Sequence, residues 1–189
     1  MTRFALAGLA LFAACADAPA PAAPRPASPT DPVTRLTLDA GGVGPLGAET
    51  PFDTAAVRAA LPAGFVVELR SVETDAGLVP VAWALRDGQL VLEVYPDAAS
   101  AAVARIDAAS DQVAGPGGAR TGQTFDALGG ADMDCDPGDA ELSGRVVCRP
   151  ASGGAVRYVF AHADADDGRL PDDDRLANAL LERLVWTAD

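Results

Sequence analysis

The 189-residue sequence has no lysine, one histidine, three cysteines, two methionines and 5% aromatic residues. Some of these scarcities close off a class of function. Its 14 basic residues, all arginine, face 27 acidic ones for a formal net charge of -13. With no basic stripe to offset that charge, the chain repels nucleic acid. The lone histidine, His162, supplies at most one ligand beside the cysteines, whereas structural zinc takes four. It has no serine or cysteine nucleophile placed by a recognisable motif, and there is no nucleophile elbow, so no catalytic residue is assigned. A membrane-spanning helix needs about 20 apolar residues, and the apolar run at 4–14 is cut off by Cys15 and Asp17. The missing lysine, with abundant alanine, glycine, proline and aspartate, reads as GC-rich codon usage and carries no functional information.

What is present begins with an export signal. Arg3 followed by the uncharged run 4–14 is a secretory signal in miniature, and F-A-A-C at 12–15 resembles the lipobox of bacterial lipoproteins. Small side chains before the cysteine fit the signal peptidase, and the thiol accepts a diacylglyceryl group. The expectation is a signal peptide over 1–14 and lipidation of Cys15, with a plain secretory signal cleaved at a nearby Ala-x-Ala-like site as the alternative. Further acylation of the freed Cys15 amine gives several chains, and two or more anchor a protein stably.

Alanine and proline dominate 16–33, a composition that cannot form a core. In an extended left-handed conformation, eighteen such residues reach roughly 55 Å. Residues 15–33 therefore read as a lipid-anchored tether, leaving 34–189 as a single globular domain.

Lipidation of Cys15 also makes the cysteine count even. Cys135 and Cys148 remain, separated by twelve residues, and exported chains usually oxidise such pairs. A disulfide closing a loop of that size contributes about 3 kcal/mol in the chain-entropy model. Metal binding by the two cysteines is the alternative.

Within the domain, 34–39 alternates as a half-buried strand and 41–47 is a glycine-rich turn. Asp53 reads as the N-cap of a short helix, with Phe52 placed to staple onto Val57 and Pro62 to stop it. Runs at 65–72, 78–86 and 89–95 read as strands, the last two joined by the hairpin dipeptide Asp87-Gly88. Pro80 places the middle run at an edge or a bulge. Residues 103–107 suit strand or helix. The segment 118–126 echoes 45–53 in its glycine, its threonine and its Phe-Asp pair, and leads into strands at 144–149 and 155–161. The expectation is an α+β fold with largely antiparallel sheet from two similar halves. A C-terminal helix packed on that sheet is expected over 170–186, where Leu176, Leu180 and Leu184 with Ala177 and Leu181 form a stripe and Trp186 plugs the end.

Two signals imitate binding sites. G-V-G-P-L-G at 42–47 is a formal GxGxxG after a strand, but Pro45 interrupts it, the helix starts only near Thr54, and hairpins without crossover helices come after. It reads as a glycine turn, and no cofactor is assigned. Acidic clusters at Asp132, Asp134, Asp136, Asp139 and Glu141, and at Asp164, Asp166 and Asp167, invite calcium. Counting from Asp164, Arg169 and Arg175 occupy the places where an EF-hand requires glycine and glutamate. They read as solvated loops, and no metal is assigned.

Taken together, G-V-G-P-L, T-P-F-D, G-x-T-F-D, the cysteines flanking a hairpin and the final L-V-W resemble a family of uncharacterised bacterial lipoproteins. In enterobacteria these are envelope-stress-regulated (RpoE-regulated) lipoproteins. The resemblance spans about 36–186 and implies an exported, lipid-anchored α+β domain with no assigned activity. Ala16 in place of aspartate after the lipidated cysteine points to the periplasmic face of the outer membrane.

The expected role is an envelope structural or interaction module, held to a membrane by its lipid and facing a protein or cell-wall partner. Alternatives are a binding domain for a divalent cation or small envelope ligand, and a carboxylate-dependent hydrolase. Mass spectrometry of membrane-extracted protein is expected to find acyl mass on a peptide beginning at Cys15; an unmodified Cys15 refutes the anchor.

Overall fold

Hairpin chemistry organises the domain. The computed structural model describes residues 35–74, 77–99, 101–151, 154–161 and 168–188, so Cys15 and His162 lie outside the described residues. The first strand β1 (Leu36–Asp39) turns into the two-residue β2 (Gly42–Val43). The glycine-rich segment closes on itself, with Val43 and Leu46 exchanging backbone hydrogen bonds of 2.9 and 3.1 Å. Gly42 has φ 113°, and a Cβ there would lie 2.1 Å from the Leu46 carbonyl oxygen, so glycine is required at this turn. Helix α1 (Thr54–Ala60) is capped by Asp53, whose carboxylate accepts from the Ala56 N–H at 2.8 Å. It ends where Pro62 holds Leu61 extended, at ψ 152°.

Strands β3 (Phe65–Thr74), β4 (Gly77–Arg86) and β5 (Gln89–Pro96) form an antiparallel meander. Asp87 and Gly88 take the positive φ values, 53° and 76°, of a two-residue hairpin turn. Contrary to the edge reading of Pro80, β4 is an inner strand. Pro80 is tolerated because it pairs with Ser71 of β3 beyond the last residue paired to β5, Ala82, and the bulge falls at Ala84/Leu85. Residues Val103–Ala108 form a strand, β6. The two-residue β7 (Val113–Ala114) pairs in parallel with β1. Strands β8 (Asp134–Pro137), β9 (Arg145–Arg149) and β10 (Val156–Ala161) make a second antiparallel run. Cys135 and Cys148 are directly opposed across β8 and β9, 4.0 Å apart at Cα, and disulfide-bonded.

The expected C-terminal helix is not formed. Helix α2 covers only Asp173–Ala177, stopped at Asn178, and Leu181–Thr187 is a strand, β11. The leucine stripe misleads because this segment fills the gap between β6 and β10, where both neighbours satisfy its backbone. Val185 faces one side, while Leu184 and Trp186 enter the core on the other. An apolar run buried on both faces reads equally as helix or strand from periodicity, and sheet context overrides helix propensity. Leu180, central to the supposed stripe, is 48% exposed. The fold is therefore mostly antiparallel β with few short helices.

The large sheet runs β3-β4-β5-β6-β11-β10-β9-β8, and a small one β2-β1-β7. The main core joins the inner face of the large sheet to residues of β1, β2, β7 and α1. Trp186 locks this layer by donating from Nε1 to the Ala40 carbonyl at 2.9 Å. The large sheet's strand order is four consecutive strands from either end, meeting at β6 and β11. Matching contacts precede those central strands. Phe52 N–H donates to Ala101 at 2.8 Å and Phe125 N–H to Ala179 at 2.9 Å; Val103 N–H donates to Thr50 at 2.9 Å and Leu181 N–H to Gln123 at 2.8 Å. Among the described residues, no helix is long and apolar enough to cross a membrane.

Two measurements check the reassigned C-terminus. Amides of 184–186 are expected among the slowest to exchange in the chain, as befits a central strand. Trp186→Ala is expected to cost about 3 to 5 kcal/mol in denaturant unfolding.

Candidate functional site

Alternation puts one set of side chains from the large sheet into the core and leaves the other set on its outer face. At the middle of that outer face, the register aligns Glu93 of β5, Asp107 of β6 and Val185 of β11. Asp107 is 1% exposed. Arg105 holds it with a two-point clamp, Nε to Oδ1 at 2.7 Å and Nη2 to Oδ2 at 2.6 Å, and Arg183 Nη1 adds a third bond to Oδ2 at 3.3 Å. Arg105 reaches on to Glu141 at 2.9 Å and lies over the Tyr95 ring, 4.7 Å from its centroid. Burial opposes the charge on Arg105, but hydrogen bonds and attraction from Asp107, with Glu141, outweigh it and push its pKa up. Burial, with Glu93 and Asp107 adding, pushes the Tyr95 hydroxyl up as well, so it stays protonated and donates to Glu93 at 3.2 Å.

Both Asp107 oxygens are occupied, which makes this network a scaffold. It positions the turn 140–142, whose Leu142 packs with Val159 and Val185 in a second small apolar cluster. A buried carboxylate held by two guanidiniums is costly to break from one side.

The remaining sequence candidates scatter. Asp134 and Asp136 are exposed on β8, 3.4 and 3.7 Å from Arg149 Nη1, while Glu141 belongs to the Arg105 network. Asp132 lines a separate cleft of about 360 Å³ with Pro116, Gln123, Leu128, Met133 and Tyr158. There the Tyr158 hydroxyl, pushed up by burial, donates to the Pro116 carbonyl at 2.7 Å. Among the described residues, no group of three or more histidines, cysteines and acids is placed to hold a metal. Asp164, Asp166 and Asp167 lie outside the described residues.

The two ends of the large sheet differ sharply. At one end β8 has four residues, including Asp134, Asp136 and Pro137, and is stapled by the disulfide. Charge, proline and shortness are ordinary edge protection. At the other end β3 has ten residues and no proline, and among the described residues no strand pairs with its outer side. Val66 and Leu69 on β3 are each 58% exposed, and Leu78 on β4 is 75% exposed. Sequence reading located these strands but not the edge, which exists only once strand order is known.

Replacing Asp107 with alanine should strip both guanidiniums of their partner and cost about 3 to 5 kcal/mol in denaturant unfolding; a change under about 1 kcal/mol contradicts the clamp.

No curated protein matches the chain. The crystal structure of the uncharacterized protein yfeY from Escherichia coli is similar in fold, with a TM-score of 0.64 and 19% identity over 82% of this chain and 100% of that one. Residues 28–188 match the model of DUF1131, a protein family of unknown function, and the chain belongs to that family.

Proposed function

We propose that this chain is a lipid-anchored module of the bacterial envelope that works by association, pairing through the β3 edge with a second copy of itself. The lipobox-like F-A-A-C ending at Cys15 and the proline-rich tether after it support the anchor. Ala16 favours the outer membrane, and the resemblance to envelope-stress-regulated lipoproteins supports a role in maintaining that layer. The recurring contacts ahead of β6 and β11, beside the echo of Phe52-Asp53 in Phe125-Asp126, support reading the domain as two copies of one unit.

The observation that carries association is the open ten-residue edge with its exposed apolar side chains. An edge of this kind is a template for another strand. Its sequence is self-complementary when two copies pair antiparallel about Leu69. Each Glu68 then faces Arg70 of the second copy, each Val66 faces Val72, and Leu69 meets Leu69. Within one chain Arg70 pairs with Glu68 along the same strand and lies over Trp83, so both charges are already held at the edge. Opposite charges and apolar pairs directly across strands each add roughly 0.2 to 1 kcal/mol, and the two-fold axis repeats every pair.

Leu69→Cys in the full chain, expressed with its signal, is expected to yield a covalent dimer on non-reducing gels of cell envelopes. Leu78→Cys, one strand farther from the axis, is expected to remain monomeric. An exported, folded Leu69→Cys protein that stays monomeric overturns the pairing.

A further inference from the structure

We propose that the outer sheet face carries an anion site, formed by Arg149, Arg157 and Thr187, that receives a phosphate group. This stands independently of the β3 edge. Pairing of Tyr158 with Cys148 across β10 and β9 brings the next residues outward, Arg157 and Arg149, opposite each other on one face. Like charges so placed repel, and in an acidic chain the expected remedy is a carboxylate between them.

The other outer-face arginines of the central and second-half strands have that remedy at close range. Arg105 and Arg183 share Asp107, and Arg145 Nε donates to Glu182 at 2.7 Å. The Arg157 side chain has no hydrogen-bond or ion-pair partner among the described residues. Arg149 has only the long, exposed contacts to Asp134 and Asp136, a kind of pair that contributes little.

The two guanidiniums open onto a hollow of about 270 Å³ completed by Gly154, Ala155 and Thr187. Its walls are mainly polar groups, and its size suits one phosphate group better than a drug-sized ligand. On its other side Arg157 borders a hollow of about 310 Å³ lined also by Arg105, Asp139 and Glu141, where acids already accompany the basic groups. The guanidinium fork matches phosphate oxygens bidentately, and the Thr187 hydroxyl is a further donor. The frame is fixed on both sides. The Cys135–Cys148 disulfide holds β9 next to Arg149, and Thr187 N–H donates to the Ala155 carbonyl at 3.1 Å.

The same chemistry recognises inorganic phosphate and the phosphate of a lipid headgroup. The test titrates the full, detergent-solubilised chain with inorganic phosphate, and separately with short-chain phosphatidylglycerol. Both are read by calorimetry against chloride at equal ionic strength. Saturable binding is expected, weakened about tenfold or more by Arg157→Gln or Arg149→Gln, and unchanged by Arg58→Gln on α1. Arg157→Lys, which keeps charge and stem, separates loss of the fork from loss of fold and is expected to bind at intermediate strength. Binding of the lipid alone supports the site and names a headgroup as its source; binding of both names the phosphate group itself. No binding of either, or binding that Arg157→Gln leaves intact in a folded protein, overturns the proposal.

Discussion

Asp107 sits where the two four-stranded runs of the large sheet meet, and the integrity of the domain turns on that seam. The carboxylate comes from β6 and its two guanidiniums from β6 and β11, so one ion cluster ties the last strand of each run together. On the inner face of the same seam Ile106 is opposite Trp186, and Leu184 is opposite Ala108, all in the main core. Charge pairing outside and apolar packing inside thus act on the same backbone ladder. The indole N–H of Trp186 extends that hold to the small sheet.

Much of the first half was legible because local chemistry decided it. Asp53, Pro62 and Asp87-Gly88 act over a few residues, and the helix and hairpin they predict are formed. The Cys135–Cys148 pair was legible by parity of the cysteine count and is a disulfide in the fold. The C-terminal strand was not legible. Asp172 caps a real helical turn, but the conformation of the chain beyond that turn is decided by β6 and β10, and β6 lies far earlier in the sequence. Arg183 likewise meets Asp107 at a separation of 76 residues. Arg149 and Arg157 belong to runs that were read as strands, yet their opposition depends on hairpin register across a loop, which alternation alone does not set. The opposition of these arginines is set at this longer range, and so it lay beyond sequence reading.

The two outer ends of the sheet show opposite solutions to one problem. The β8 end is short, charged and covalently held, and borders the arginine hollow; the β3 end is long and open. A domain that guards one edge and leaves its counterpart bare has a polarity that its strand order alone would not suggest. Likeness of fold to yfeY extends over most of the chain at 19% identity, so this frame tolerates wide change in sequence.

The position of β11 has a consequence for how the chain comes to be folded. The strand comes after all the others in sequence yet occupies the middle of the large sheet. Until residues 181–187 arrive, the four strands β3 to β6 and the three strands β8 to β10 have no common border, and the flanks of β6 and β10 are two raw edges inside an unfinished molecule. Closing that gap requires contacts across a long stretch of chain, which are slow to form. A polypeptide that emerges N-terminus first would therefore keep this sheet open until residues 181–187 had emerged and reached the gap.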